Sequence, residues 1–468
     1  MDASLYDFGM VGLGTMGRNL LLNIADHGFA AIGFDKDLAK GQLLESSATA
    51  GTNVKGVDSL SDMVAGLKRP RKVMMLVPAG GPVDAVIEDL LPLLDEGDVV
   101  IDGGNSHFTD TLRRISYLEN KHIHFMGMGV SGGEKGARFG PSIMPGGDVE
   151  AWNTVKPILE SIAAKVNDEP CVAYMGKGAA GHYVKMVHNG IEYAIMQLIS
   201  EAYDFLKRGL NYTNEEIHVI FKKWNEGSLQ SFLVEITADI FTQKDDITGK
   251  DLVDQILDKA GSKGTGKWTS QEAMNLPVSL PTIDLAVAMR DISVYKNERV
   301  AAAAIYKPRI KNFTNKEKLV QQLEDAFYTA TLLCYAQGLA MLTKASAEHK
   351  MDIPLQDVVR IWRGGCIIRS TMLELFTAAY KKKGLENILL DKKIAALVKK
   401  KQGGLRKIIQ QYAAARIPAG GLMSALAYFD VYVTERMPVN LIQAQRDYFG
   451  AHTYQRIDKE GSFHTEWQ

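Results

Sequence analysis

The chain has 468 residues, 46% of them apolar, and its 54 lysines and arginines against 55 aspartates and glutamates leave a formal charge of -1. That length exceeds one compact core, so two or three domains are expected. The near-neutral balance offers no global basic field to draw nucleic acid or a membrane surface, which confines any anion site to a local pocket.

No apolar run approaches the roughly 20 residues needed to cross a bilayer, and residues 1–7 lack the basic and apolar regions of a secretory leader. Three widely spaced cysteines, Cys171, Cys334 and Cys366, suit reduced thiols better than a disulfide framework or a CxxC metal site. A cytoplasmic protein is expected.

From about residue 5 to 178, short apolar runs alternate with helix-like segments. The runs lie at 8–11, 30–34, 73–77, 99–102, 123–128 and 172–175. This alternation predicts a Rossmann-type α/β domain on a mainly parallel sheet. The first run leads into Gly12-Leu13-Gly14-Thr15-Met16-Gly17, a GxGxxG between a strand and a helix. Gly12 permits the tight turn, Gly14 lets backbone approach a pyrophosphate, and Gly17 lets helix and strand pack closely; the helix N-terminus receives the anion. The second run ends at Asp35-Lys36-Asp37, placing Asp35 some twenty residues past the glycines, where a carboxylate binds ribose hydroxyls and repels a 2'-phosphate. These residues favour NAD, with Lys36 partly offsetting the repulsion. Glycine-rich segments follow at Asp102-Gly103-Gly104-Asn105-Ser106 and from Ser131-Gly132-Gly133 to Gly147.

Beyond Gly178 nearly every segment has helical periodicity, so a large all-α domain is expected. Its first helix is predicted to run unbroken from Gly181 to Arg208. On that helix Lys185, His188, Asn189 and Glu192 stand at i, i+3, i+4 and i+7, which makes one face ionisable and polar. Such a face needs a polar pocket. Trp224-Asn225-Glu226-Gly227, followed by Phe232-Leu233, is echoed by Trp362-Arg363-Gly364-Gly365, followed by Met372-Leu373, and the spacing suggests a duplicated helical subdomain. Asp245-Asp246 reads as a turn, and Lys399 to Lys401 as a solvated helix end before Gly403-Gly404. A further glycine-rich segment spans Gly261 to Trp268. The end of the chain, from 437, is aromatic and rich in hydrogen-bonding groups, unlike a loose terminus.

Taken together, the glycine segments, the Lys185 helix, Lys263-Gly264-Thr265-Gly266-Lys267-Trp268 and the ending Arg446 to His452 and Phe463 to Trp467 closely resemble the 6-phosphogluconate dehydrogenases of the β-hydroxyacid dehydrogenase superfamily, over essentially the whole length. The resemblance implies oxidative decarboxylation of 6-phospho-D-gluconate to ribulose 5-phosphate and CO2, in the oxidative pentose phosphate pathway. It implies a homodimer whose tail, 437–468, reaches the neighbouring subunit, beside a dinucleotide domain at 1–178 and a substrate and dimerisation domain at 179–436. Lys185 is then the base that takes the 3-hydroxyl proton, and Glu192 the acid that protonates C1 after CO2 leaves. Asn105, Ser131, Gly132, Gly133, His188 and Asn189 would hold the sugar acid. Tyr193, Lys263, Thr265, Arg290 and the partner's Arg446 would hold the phosphate, with His452 also arriving from the partner.

The chemistry needs no metal, because hydride loss at C3 creates a carbonyl β to the carboxylate, and protonated Lys185 polarises it. That requires a lysine pKa lowered from about 10.4 toward roughly 7 to 8, and a raised pKa at Glu192. The cofactor-binding residues would be Gly12, Leu13, Gly14, Thr15, Met16, Gly17, Asp35, Lys36, Asp37, Val77, Pro78, Ala79 and Asn105. NADP is the commoner family cofactor. Here, however, Asp35-Lys36-Asp37 replaces the usual Asn-Arg-Thr, and Pro78 stands where the family often has lysine, so NAD is expected to serve at least as well. Two alternatives stay open: a dehydrogenase of a small non-phosphorylated hydroxyacid, and a non-catalytic dinucleotide-binding protein.

Overall fold

A computed structural model describes residues 5–382 and 384–467; the leader expectation falls partly on residues 1–4, outside the described residues. Seven strands form one sheet: β1 (Phe8–Val11), β2 (Ala31–Phe34), β3 (Val54–Val57), β4 (Lys72–Met75), β5 (Val99–Asp102), β6 (His124–Ser131) and β7 (Ser142–Gly147). Their order is β3-β2-β1-β4-β5-β6-β7, parallel except for β7, which runs against β6 from Ser131↔Ser142 to Met126↔Gly147. The strands bury both faces, as helix-covered parallel sheets do. Phe8, Met10, Met74, Val99 and Ile101 pack on one side, while Val11, Val73, Met75 and Val100 pack on the other. Side chains alternate across the strand, so β1, β4 and β5 read as near-continuous apolar runs.

Two strand expectations need correction. Residues 172–175 do follow the outer edge of β7, with Ile143 N–H donating to the Cys171 carbonyl and Met175 N–H to the Pro145 carbonyl, but only Val172 bridges to Ile143, so they form no strand of the sheet. In its place stands β3, whose Val54-Lys55-Gly56-Val57 is too short and polar to announce itself. Gly56 is fitted to its neighbour, since a Cβ there would lie 2.5 Å from the Gly41 carbonyl.

The helical half is organised by the helix Ala180–Asp204, which continues through a π turn, Phe205–Gly209, rather than as unbroken α-helix to Arg208. Every residue from Ala180 to Ile191 is buried, the pattern of a helix covered all round. Behind it crosses the 33-residue helix Lys316–Glu348, where a Cβ on Gly338 would come 2.5 Å from Ile191. Next to that lies the helix Lys392–Ala415. Lys399 to Lys401 are in its interior and not at its end, and it continues through Gly403-Gly404. A Cβ on Gly404 would meet Asp325 at 2.7 Å, and Lys401 pairs with the same Asp325 at 2.5 Å, so the glycine serves close helix packing. Asp245 does sit in a turn, accepting from the Thr248 backbone and hydroxyl.

The echoed segments stand side by side. Phe232 N–H donates to the Arg369 carbonyl and Thr371 N–H to the Gln230 carbonyl, a reciprocal pair across the Ser231–Ser370 bridge. The Trp224 and Trp362 side chains are both buried in the same core. No helix of the described residues is long and apolar enough to cross a membrane.

One buried carboxylate ties the long helix to the far end of the domain. Glu201 accepts from the Gly421 and Leu422 backbone N–H groups at 2.6 and 3.0 Å, serving the otherwise unpaired donors that open the helix Gly420–Tyr432. Glu201→Ala should strand these donors and lower unfolding free energy by about 2 kcal/mol, measured by urea denaturation; an unchanged midpoint would remove this role.

Candidate active site

The lysine at the centre of the site is placed by glycines. The helix Ala180–Asp204 lies directly on β6 and β7, and a Cβ added to Gly129 would sit 2.4 Å from Cβ of Lys185. Gly181 faces the Gly127 and Met144 carbonyls with equally little room, at 2.2 and 2.4 Å. Lys185 is consequently buried, at 7% exposure. Burial lowers its pKa, against the pull of Glu192. Glu192 is two turns along the same face, with 22% of its side chain exposed, and burial raises its pKa although Lys185 and Arg290 oppose the shift. A neutral amine and a protonated carboxyl are thereby brought within reach at the same pH.

Between them, His188 is fully buried and held neutral by burial and by Lys185. Its Nδ1 lies 3.0 Å from Asn189 Oδ1, so that nitrogen carries the hydrogen and donates. Nε2 is left to accept from the Ser131 hydroxyl at 3.2 Å or the Cys366 thiol at 3.0 Å. Burial pushes Cys366 up to about 12, so it remains a thiol. Asn189 in turn donates to Thr265 Oγ1 at 3.0 Å. Thr265 opens the helix Thr265–Asn275, which approaches because Gly190 makes room for Thr269; the Thr269 hydroxyl contacts the Met186 carbonyl at 2.9 Å.

Ser131, Gly132 and Gly133 form the turn after β6, with positive φ at both glycines. A Cβ on Gly132 would strike the Gly365 carbonyl at 2.6 Å. Residues 364–367 are thus a wall of the cleft, which the sequence reading recognised only as an echo of Trp224-Asn225-Glu226-Gly227. Further along the helix, the Arg290 guanidinium stacks on the Tyr193 ring, 3.5 Å from its centroid, and donates to the Gly261 carbonyl at 3.0 Å. Lys263 is exposed on the same loop. Asn105 is exposed on the loop after β5.

That loop rests on groups the sequence reading missed. Asp102 accepts from Gly104 N–H, the Ser106 hydroxyl and the fully buried Arg114, while its backbone carbonyl accepts from Nε2 of His182 at 3.0 Å. Arg114 also reaches Asp84 and the Gly80 carbonyl. Arg114 sits on the buried stripe of the helix Phe108–Glu119 with Phe108, Thr111 and Leu118, and that spacing is the signal the sequence offered.

The nucleotide end is a cleft of about 470 Å³ lined by Gly12, Gly14, Asp35, Lys36, Val77 and Pro78 among others. Gly12 has φ of 94°, and a Cβ on it would meet the Leu76 carbonyl at 2.6 Å, whereas a Cβ on Gly14 would point into open space. A pyrophosphate fits that opening at the start of the helix Thr15–Asp26. Thr15 is exposed and Met16 half-buried there, and Gly17 packs within 1.9 Å of the Gly12 carbonyl by the same Cβ measure. Leu13 points into the core and gives its N–H to Asp35 at 2.7 Å, so it secures the loop. Asp37 is exposed and caps the next helix through one carboxylate oxygen, which accepts from Ala39 N–H at 3.2 Å. Burial alone would raise Asp35, but donors from Asp37, Leu13 and Lys40 hold its pKa below the ordinary value. Ala79 is exposed at the rim of the loop after β4.

Arg446 and His452 are not brought to this cleft within one subunit: Arg446 donates to Gln443 and His452 stands edge-on to Phe449, and no hydrogen bond or ring contact joins either to the cleft among the described residues. All three cysteines are buried free thiols. Among the described residues, no group of three or more His, Cys, Asp or Glu side chains is placed to hold a metal.

A dinucleotide-binding sheet delivering to a buried lysine and glutamate on one helix defines the dehydrogenase class. Comparison with known proteins narrows it. Residues 7–190 match the profile of the NAD binding domain of 6-phosphogluconate dehydrogenase, and residues 181–467 match that of the 6-phosphogluconate dehydrogenase C-terminal domain. The NADP(+)-dependent, decarboxylating 6-phosphogluconate dehydrogenase of Bacillus subtilis is 51% identical over 467 residues, 99% of each chain. The decarboxylating enzyme 1 of Saccharomyces cerevisiae is 49% identical over 452 residues, 96% of this chain and 92% of its own. Among solved structures, Plasmodium falciparum 6-phosphogluconate dehydrogenase, studied in apo form and with NADP+ and 6-phosphogluconate, superposes with a TM-score of 0.95 at 43% identity, covering 98% of this chain and 100% of its own. The chain belongs to the 6-phosphogluconate dehydrogenase family.

Gly129→Ala should push Lys185 away directly, since the new Cβ would meet Lys185 Cβ at 2.4 Å. A misplacement near 1 Å costs about 10²-fold in rate, so kcat should fall by that order, and the overpacked seam should cost about 1–3 kcal/mol in urea denaturation; unchanged kcat would show that the seam does not position the lysine.

Proposed function

We propose that this protein oxidatively decarboxylates 6-phospho-D-gluconate to D-ribulose 5-phosphate and CO2 with reduction of NAD(P), the reaction of the oxidative pentose phosphate pathway. The observation that carries the reading is the pair Lys185 and Glu192 on one face of a buried helix, with pKa values moved in opposite directions. Lys185, as the free amine, takes the proton of the 3-hydroxyl. The nicotinamide, when bound, supplies the acceptor for hydride from C3. The resulting ammonium then donates to the C3 oxygen, drawing electrons as the bond to the carboxyl carbon breaks. Glu192 returns a proton to the carbon that lost CO2, which becomes C1 of the product. Neutral His188, with Ser131, Gly132, Gly133, Asn189 and Asn105, orients the sugar acid. Tyr193, Lys263, Thr265 and Arg290 hold the phosphate, for which Arg290 is presented as a flat, stacked fork.

The finer assignments belong to the same reading. The dinucleotide domain is 1–178, the substrate and dimerisation domain 179–436, and the tail 437–468 serves a partner subunit in a homodimer. The tail's Leu441, Ile442 and Phe449 are 62, 56 and 73% exposed in the single subunit, which supports a partner surface there. Three free buried thiols suit a reducing cytoplasm.

NADP is the cofactor named for the Bacillus relative. Against it, the ionised Asp35 at the end of β2 favours ribose hydroxyls over a 2'-phosphate, and NAD is read as serving at least as well. Measuring kcat/KM with each nucleotide checks this, and a hundredfold preference for NADP would contradict it. Asp35→Asn should move the ratio toward NADP by about tenfold or more, the scale of one charge interaction near 1.4 kcal/mol.

The pH profile tests the two catalytic roles. Lys185 must be deprotonated and Glu192 protonated, so kcat/KM should rise with pH as the lysine loses its proton and fall as the glutamate loses its own. Lys185→Met should abolish turnover. Glu192→Gln should be slow and should lose the alkaline fall, because the amide does not titrate; an alkaline limb that persists in this variant refutes the acid role.

A further inference from the structure

The tail folds on itself around one carboxylate. Asp447 lies near the end of the helix Val439–Gly450 and is fully buried, although Arg446 and Tyr448 on either side of it are exposed. Each of its oxygens accepts two hydrogen bonds. Oδ1 takes Thr453 N–H at 3.0 Å and His464 Nδ1 at 2.9 Å, and Oδ2 takes Thr465 N–H at 3.0 Å and Trp467 Nε1 at 2.9 Å. Four donors use the full accepting capacity of a carboxylate. Burial alone would raise the pKa, yet these donors bring it down to about 2, so the group is ionised throughout the working range.

The donors come from two segments that also pair with each other, Tyr454 and Phe463 exchanging N–H and carbonyl at 2.8 and 2.9 Å, and Asp447 fastens that pair to the helix. Thr453 belongs to the loop that follows the helix, whereas His464, Thr465 and Trp467 belong to the closing segment of the chain. Within the loop, Ala451 and Thr453 have φ of 49° and 60°, left-handed values that are costly for residues with a Cβ and especially for a β-branched one. Such backbone persists only where its surroundings over-determine it. Here the Thr453 N–H is fixed by Asp447 and its carbonyl by Gln443 Nε2 at 2.5 Å. His452 stands between the two left-handed residues, and its ring folds back over Gly450, where a Cβ would come 2.8 Å from it.

We infer that Asp447 is a positioning residue, which locks the loop and the closing segment onto the tail helix so that Arg446 and His452 are presented together, in fixed geometry, to the neighbouring subunit's substrate. This rests on the reading that the tail serves a partner's cleft. Asp447 has no lone pair left for substrate, so it acts only through its neighbours. A preformed tail does not have to be ordered when substrate arrives, which spares side-chain and loop entropy at binding. Losing it therefore weakens substrate binding more than the chemical step.

The test uses the full-length protein and steady-state kinetics. Asp447→Asn keeps the shape but turns one oxygen into an NH2 facing donors. It is expected to raise KM for 6-phosphogluconate about tenfold or more with kcat within about threefold, while KM for the nucleotide and elution in size-exclusion chromatography stay as in the parent. Trp467→Phe removes one of the four donors and should shift KM in the same direction by a smaller factor; it decides the matter by the same criteria if Asp447→Asn does not fold. In an Arg446→Ala/His452→Ala background, Asp447→Asn should have no further effect on KM, because the groups it positions are gone. A KM within twofold of the parent for both single variants overturns the inference, as does an undiminished effect of Asp447→Asn in the double-variant background. If the Arg446→Ala/His452→Ala protein itself keeps the parent KM, the assignment of the tail to the partner's cleft fails instead, and that outcome is separate from the other two.

Discussion

An ammonium group taken out of water costs several kcal/mol unless it sheds its proton, and the walls on every side of the helix Ala180–Asp204 impose that cost on Lys185. The walls are possible only because backbone meets backbone. Gly127, Gly129 and Gly146 on the strands and Gly181 on the helix remove the side chains that would hold the two apart. Helix against sheet at that distance leaves no layer of water under the lysine. The same closeness raises Glu192 and keeps His188 neutral, so three ionisable groups take their protonation states from one packing arrangement.

Asp102 joins this arrangement to the nucleotide end. Its carbonyl holds His182 on the lysine helix, and its carboxylate holds the Asn105 loop and Arg114, which in turn grips the Gly80 carbonyl beside the nucleotide cleft. The crevice at the carboxyl ends of the strands, where open α/β sheets bind ligands, is therefore braced from both sides by a single residue. Three hydrogen-bonded steps, Gly80 to Arg114 to Asp102 to His182, connect the nucleotide loop to the lysine helix.

The Rossmann pattern and the polar stripe were legible because each is local: glycine spacing, strand runs and a helical period all act within a few residues. Residues 8–11 and 99–102 are strands at those very bounds, and Lys185, His188, Asn189 and Glu192 share one face. What stayed hidden depends on partners far along the chain. The role of Gly365 and Ile367 in walling the cleft comes from contact with Gly132 and Ser131, more than 200 residues away. Gly403-Gly404 resembled a helix stop, yet it marks the approach of a second helix at Asp325. Residues 172–175 had the composition of a strand, but they meet the outer edge of β7 through scattered hydrogen bonds and a single bridge. The cap that Asp37 places on the next helix, through Ala39 N–H, was likewise not singled out in the sequence.

The all-round cover of the Lys185 helix also sets an order of events during synthesis. β6 and β7 precede the helix, but Gly338, Cys366 and Gly421, which pack on Ile191, His188 and Glu201, follow much later, the last of them 220 residues beyond its partner. At translation rates of about 5–20 residues per second, that gap is on the order of ten seconds or more. For that interval the helix lacks the walls that Gly338, Cys366 and Gly421 supply. The all-round burial of Lys185 is completed only when the last third of the chain closes over its helix.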